Sequence, residues 1–166
     1  MKELIYNQND IPKAQWRYGL RSSAAVGCGW VATHNALRLM GYRTDIEKLI
    51  RYYEGQLPLI HGNAGTSFWG PGAFFLHHGF SVRWEIKRER FDALVEESEV
   101  CILFYYWRKG LKLGSHFVAL HKTDRGILGY NTYKNSAGPD RYGESLDAFL
   151  KKRGYFGCVL IGIREK

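Results

Sequence analysis

Three residues of this 166-residue chain have the types and the order that nucleophilic chemistry needs: Cys28, His116 and Asn131. Cys28 lies in Gly27-Cys28-Gly29, where a stretch of small residues ends and a helical pattern begins, so the sequence predicts a thiol at a helix N-terminus. Free main-chain N–H groups and the positive end of the helix dipole favour the thiolate form at such a position. We therefore expect a lowered pKa for Cys28 and nearby donors for a developing oxyanion.

A base and an amide follow on two neighbouring predicted strands. His116 begins an apolar strand after a Gly-Ser turn, and Asn131 ends the next strand, 15 residues further along. Two antiparallel strands joined by a turn at residues 122–125 would bring these two side chains together. An imidazole can accept and return a proton, and a side-chain amide can orient its ring. The three residues together indicate a Cys-His-Asn arrangement for acyl transfer.

Each of these residues also has a structural interpretation. A cysteine in a helix is commonly a small buried apolar residue, and a histidine is commonly satisfied by a main-chain carbonyl. The catalytic interpretation is favoured for Cys28 because it lies in a Gly-Cys-Gly turn at a helix N-terminus. It is favoured for His116 because this residue occurs in order with Cys28 and Asn131. For Asn131, a turn residue at the end of a strand is an alternative that stays open.

The bulk composition favours one domain that covers residues 1–166. Hydrophobic residues make up 45% of the chain and aromatic residues 15%, enough to bury one substantial core. The sequence contains neither an apolar run long enough to cross a bilayer nor the pattern of a signal peptide, so we expect a cytoplasmic protein. The spacing of its three cysteines matches no metal-binding motif, and we expect no disulfide framework, metal or other cofactor.

The net charge of +8 raises the question of an anionic partner. The basic residues are spread along the chain, and no motif for reading bases or phosphates accompanies them. A solvated basic surface is therefore the favoured interpretation, and we expect no nucleic-acid partner. An anion or nucleic-acid binder remains an alternative that depends on charge alone.

The elements that must position the three residues form an α+β pattern. Helical spacing of apolar residues predicts helices over 28–40, from a Thr44–Glu47 capping box onward, from Thr66 or Ser67 onward, over 88–97 and over 145–150. Runs of β-branched and aromatic residues predict strands from residue 80, over 100–107, 116–121, 126–131 and 157–163. Helices early in the chain and an antiparallel sheet later define the predicted α+β class.

Four short segments together resemble the papain-like cysteine peptidases, in particular the compact bacterial C39-like group: Gly27-Cys28-Gly29, Gly65-Thr66-Ser67, Gly114-Ser115-His116 and Gly129-Tyr130-Asn131. The segments follow the order of that family across most of the chain. The interval of 88 residues between positions 28 and 116 suits its compact members. The resemblance implies a papain-like cysteine protease fold, with N-terminal helices packed on a C-terminal antiparallel sheet.

The resemblance also implies a function: a thiol hydrolase or acyl transferase that acts on a peptide or peptide-like bond. Cys28 would be the nucleophile, His116 the base and Asn131 the residue that orients the imidazole. The family commonly has Asp at the third position, so Asn131 resembles the choice made in papain itself. Because a fold hosts many functions, the substrate of any one family member is only an analogy.

One departure from the family concerns the oxyanion hole. The family usually places a glutamine shortly before the cysteine, where this chain has Ser22 and Ser23. The nearest upstream glutamine, Gln15, is therefore the candidate donor. The displaced glutamine motivates an alternative interpretation, a catalytically weak or inactive papain-like module that binds peptides. Two tryptophans are candidates for the lining of the substrate cleft: Trp30 and Trp69.

Overall fold

The structure is a computed structural model that describes residues 4–55, 65–134 and 136–166, and its centre is a six-stranded antiparallel sheet. The strands lie in the order β3-β8-β4-β5-β6-β7. Their bounds are β3 Ser81–Glu85, β4 Val100–Lys109, β5 Lys112–Thr123, β6 Gly126–Tyr130, β7 Asp140–Gly143 and β8 Phe156–Arg164. Two short strands, β1 Arg17–Tyr18 and β2 Arg21–Ser22, form a separate hairpin near the N-terminus.

The described part of the chain also forms helices on both sides of this sheet. They are α1 Ser23–Val26, α2 Cys28–Leu39, α3 Ile46–Gly55, α4 Gly70–His77, α5 Phe91–Glu97 and α6 Leu146–Arg153. Two 3-10 turns, Gln8–Asp10 and Arg88–Arg90, complete the pattern. None of the helices in the described ranges is long and apolar enough to span a bilayer.

The side chains of β5 point alternately to the two faces of the sheet, and the core has one layer on each face. Phe117 and Ala119 pack in a cluster with α2, α3 and α4, whereas Val118 and Leu120 pack in a second cluster with α5 and α6. Successive side chains of a strand point to opposite faces, so one strand serves both layers. The predicted α+β class is correct, and helices cover both faces of the sheet.

The central helix begins and ends close to its predicted bounds of 28–40. Gly41 follows it with φ of +95°, a conformation that favours glycine. The short α1 is not among the predicted helices, and one residue, Gly27, separates it from α2. A Cβ atom on the intervening Gly27 would lie 2.5 Å from Trp30 Nε1 and 2.6 Å from the Ser23 carbonyl oxygen, so this junction requires glycine.

Two predicted helix starts were wrong. The cap of α3 is Asp45, whose Oδ1 accepts the Lys48 N–H at 3.1 Å, whereas Thr44 Oγ1 lies 2.6 Å from His34 Nδ1. The next helix does not begin at Thr66 or Ser67, because α4 begins at Gly70 with Pro71 in its first turn. Proline is well suited to that turn, since its missing N–H would have no partner there.

Candidate active site

The Cys28 thiol lies where the N-terminus of α2 contacts the sheet. Cys28 is the first residue of α2 and is half-buried, whereas Cys101 and Cys158 are buried. Hydrogen bonds from the main chain of Phe117, Gly29 and Cys28 itself act on the thiol and lower its pKa. Because Phe117 directly follows His116 on β5, the structure brings the cysteine to the strand that carries the histidine.

Burial outweighs these hydrogen bonds and raises the pKa of Cys28 to about 11. The expectation of a lowered pKa was therefore wrong for this structure. A thiolate loses much of its hydration when protein surrounds it, and desolvation disfavours the charged form. The amides at the start of α2 do face the thiol, as predicted, but they offset only part of that cost.

His116 is fully buried, and its two ring nitrogens have different environments. Nε2 lies 2.5 Å from the main-chain carbonyl oxygen of Asn131. A carbonyl only accepts, so Nε2 carries the proton and Nδ1 keeps a free lone pair. Within the described residues Nδ1 has no hydrogen-bond partner, and no bond joins it to the Cys28 thiol. Burial lowers the pKa of His116 to about 4, which keeps the ring neutral.

Asn131 contacts His116 through its main chain and uses its side chain elsewhere. Its Oδ1 accepts the main-chain N–H of Gln8 at 2.8 Å, and its Nδ2 donates to Gln8 Oε1 at 2.9 Å. Its φ of +69° places it in the left-handed region, which Asn tolerates better than most residues. The side-chain amide therefore holds the loop in place, and the carbonyl oxygen contacts the imidazole.

Gln8 is a site residue that the sequence reasoning missed. It is fully buried, and its Nε2 donates to the carbonyl oxygen of Ala24 in α1 at 3.0 Å. Gln8 thus connects the Asn131 loop to the short helix that precedes Cys28. No motif or periodicity marks it, since its partner Asn131 lies 123 residues away in the chain.

Replacement of Gln8 with Ala is expected to lower the free energy of unfolding by about 3 kcal/mol, because it removes the acceptor of the buried Asn131 Nδ2 and the donor to the Ala24 carbonyl oxygen. Urea denaturation measures the change. Gln15→Ala is the matched control: Gln15 is exposed, and its loss should cost less than about 0.5 kcal/mol. Equal losses in both variants would contradict the role assigned to Gln8.

Tyr133 covers the imidazole of His116. The two rings stack with centroids 4.0 Å apart and an interplanar angle of 29°. Burial raises the pKa of Tyr133, and the charge of Cys28 would raise it further, so the phenol lies near both residues of the site. Tyr133 has φ of +63°, which is unusual for an aromatic residue and indicates backbone strain at this loop.

Two hydroxyl groups, those of Tyr18 and Thr66, lie near the N-terminus of α2. Tyr18 is fully buried, and its hydroxyl lies 3.1 Å from Thr66 Oγ1. Thr66 packs directly against Gly29, since a Cβ atom there would lie 2.3 Å from Thr66 Oγ1. This contact explains the second glycine of Gly27-Cys28-Gly29: it allows Thr66 to approach the backbone beside the thiol.

Replacement of Gly29 with Ala is therefore expected to destabilise the fold by about 1–3 kcal/mol, because the added methyl overlaps Thr66. Thermal unfolding gives the measurement. Gly55→Ala at the end of α3 is the control, since a Cβ atom there would have no described residue within 4 Å. It should be neutral or stabilise the fold by up to about 1 kcal/mol. A Gly29 variant as stable as the control would contradict the close contact.

The structure does not bring all the remaining sequence candidates to the thiol. Gln15 is exposed beside α3, and its side chain forms no hydrogen bond with described residues. Trp30 is fully buried in the core, where its Nε1 donates to Ser23 Oγ at 3.2 Å, so it presents no surface to a substrate. Trp69 is 54% exposed and contacts the ring of Phe68, and it remains the tryptophan able to line a cleft.

Comparison with known proteins places this geometry in a structural context. No protein-family model matches the sequence, and no curated protein matches it. Among solved structures, the chain is similar to the peptidase domain of Streptococcus ComA, a bi-functional ABC transporter involved in a quorum sensing pathway. The similarity covers 84% of this chain and 91% of that domain, with a TM-score of 0.57 and 15% identity. At this identity the likeness shows the fold, and it supports the papain-like, C39-type fold that the sequence resemblance implies.

Proposed function

We propose that the chain is a cysteine peptidase-like hydrolase that cleaves a peptide or peptide-like acyl bond. Cys28 is the nucleophile, His116 the general base, and Asn131 the residue that holds the imidazole through its carbonyl oxygen. The fold shared with a peptidase domain supports this assignment. Gln15 has no role in this reaction because its side chain lies on the surface beside α3.

The observation that carries the proposal is the hydrogen bond between His116 Nε2 and the Asn131 carbonyl oxygen, together with an Nδ1 that is unpartnered within the described part of the chain. The Asn131 carbonyl oxygen accepts a hydrogen bond from Nε2–H, and Nδ1 is left with a lone pair and no partner among the described residues. A buried, neutral imidazole with one free lone pair is suited to accept a proton. The Cys28 thiol is on the adjacent helix, in contact with the main chain one residue along β5.

The reaction balances with these groups, the substrate and one water molecule. Nδ1 accepts the thiol proton as the sulfur of Cys28 attacks the carbonyl carbon, and main-chain N–H groups at the start of α2 face the developing oxyanion. When the intermediate collapses, the acyl bond breaks and Nδ1 returns the proton to the leaving amine. Water then hydrolyses the thioester, with His116 again as the base, and the free thiol is restored.

Incubation with a library of peptides derived from a proteome, followed by mass spectrometry, tests the proposal without a known substrate. New peptide termini are expected to accumulate with the unmodified chain and to be absent with Cys28→Ala. Cys158→Ala is the matched control, because it removes a buried thiol and should leave cleavage intact. Cleavage that persists in the Cys28 variant, or none by any variant, would overturn the assignment.

A second candidate function is a module that binds peptides without turnover. It is favoured by the absence of a bond between the thiol and His116 Nδ1 and by the raised pKa of Cys28. The same library distinguishes the two functions. A binding module would retain peptides during size-exclusion chromatography, and those peptides would be recovered with their original termini.

A further inference from the structure

A cavity of about 480 Å³ lies between the C-terminal part of α2 and the helices α3 and α4. It is separate from the candidate active site. Cys28 is the first residue of α2 and Leu37 lines the cavity, so about 14 Å of helix lies between them. Small-molecule sites typically have volumes of about 300–1,000 Å³, and this cavity falls in that range.

Buried apolar and aromatic residues form the walls. Leu37, Leu49, Phe74 and Phe80 each expose less than a tenth of their surface. Tyr52 meets Phe74 edge to face with ring centroids 4.9 Å apart. Contacts of this kind fix the rings, so the walls form a shaped surface for an apolar group.

Tyr42 closes one side of the cavity and is itself held in place. Its ring meets Phe80 edge to face at 5.4 Å, and its hydroxyl donates to Glu165 Oε1 at 2.5 Å. The Glu165 carboxylate near this side is therefore already engaged. An apolar ligand would therefore enter a site whose aromatic walls, Tyr52 and Tyr42, are held in place by contacts with neighbouring residues.

The charged residues at the rim leave a positive charge unmatched. The cavity is bordered by Arg43, Lys48 and Asp45. Asp45 accepts the Lys48 N–H at 3.1 Å, and its Oδ2 lies 3.6 Å from Lys48 Nζ. Arg43 is exposed and forms no hydrogen bond or ion pair within the described part of the chain. Its guanidinium is thus available to an anion.

We propose that this cavity binds an apolar monocarboxylate. The apolar body would lie among Leu37, Leu49 and Phe74, and the carboxylate would pair with the guanidinium of Arg43. Arginine presents a planar set of donors that matches a carboxylate, and such charge-assisted pairs are among the stronger hydrogen bonds. This site is independent of the function proposed for Cys28.

Three probes with the same alkyl chain test the assignment: octanoate, 1-octanol and octylammonium. Each is titrated into the full chain while the methyl NMR signals of Leu37 and Leu49 are followed. Octanoate is expected to shift both signals and to bind at least about tenfold more tightly than octylammonium. Cys28→Ala should bind octanoate with unchanged affinity, which separates this site from the proposed enzyme function.

Arg43→Gln is expected to weaken octanoate binding about tenfold and to leave 1-octanol binding unchanged. Arg108→Gln is the matched control, because it removes one exposed arginine on β4, outside the cavity. It should leave both affinities unchanged. Equal binding of all three probes, no shift at Leu37 and Leu49, or equal effects of the two arginine variants would overturn the proposal.

Discussion

Alkylation of Cys28 by iodoacetamide is expected to accelerate about tenfold for each pH unit between pH 7 and pH 10, a rise of about a thousandfold. The thiolate is the reactive form, and burial raises the pKa of this thiol to about 11. Only a small fraction is therefore ionised at neutral pH, and that fraction grows tenfold per unit until the pH approaches 11. Mass spectrometry of the peptide that contains Cys28 gives the rate at each pH.

Glutathione, treated in the same way, controls for the chemistry of the reagent. Its alkylation rate should level off near the ordinary thiol pKa, about 8.5, while the rate at Cys28 continues to rise. A Cys28 rate that is already constant below pH 8 would contradict the prediction. That result would mean that Cys28 is already a thiolate at neutral pH.

This prediction also defines the chemistry that the proposed enzyme must use. With a thiol pKa of about 11 and a His116 pKa of about 4, both groups are neutral across the physiological range. Proton transfer from Cys28 to Nδ1 must then accompany attack on the substrate. Such a mechanism needs a neutral base and a protonated thiol, and both are present between about pH 4 and pH 11.

The sequence predicted the central helix and most strands because their signals are local. Cys28 to Leu39 shows helical spacing and is followed by Gly41, and β4 and β8 are long runs of β-branched and aromatic residues. Such patterns consist of the spacing of apolar residues within one short segment, so they can be recognised from neighbours in the chain alone. The start of α4 was misplaced because Thr66 packs against Gly29 rather than capping a helix.

The sequence could suggest candidate residues for the site but not the contacts that those residues make. The order Cys28, His116, Asn131 could be read from motifs, and the structure places the Asn131 carbonyl on the imidazole. That the Asn131 side chain pairs with Gln8 depends on a contact between distant parts of the chain, which no local pattern encodes. The expected pKa of the Cys28 thiol was wrong for a related reason. The sequence shows the helix N-terminus, whose amides lower this pKa, but it does not show the burial, which raises the pKa by more.

Acidification from pH 7 to pH 4 is expected to remove about 3 kcal/mol of unfolding free energy through His116 alone. The folded chain binds a proton at this ring only near pH 4, because the ring is buried, whereas the unfolded chain does so near 6.5. Between these values the unfolded state binds more protons, so acid favours unfolding. The contribution is fully present above about pH 6.5 and is lost as the pH falls to 4.

Urea denaturation at a series of pH values measures this dependence, and His116→Gln should make it shallower by the same amount. The Gln15→Ala variant is the control, because Gln15 is exposed and has no titratable side chain, so its loss should leave the slope unchanged. Comparison of slopes is informative even where His116→Gln lowers stability at every pH. If the two variants show the same slope, His116 is not held neutral by burial, and the free Nδ1 lone pair that carries the proposed function is no longer supported.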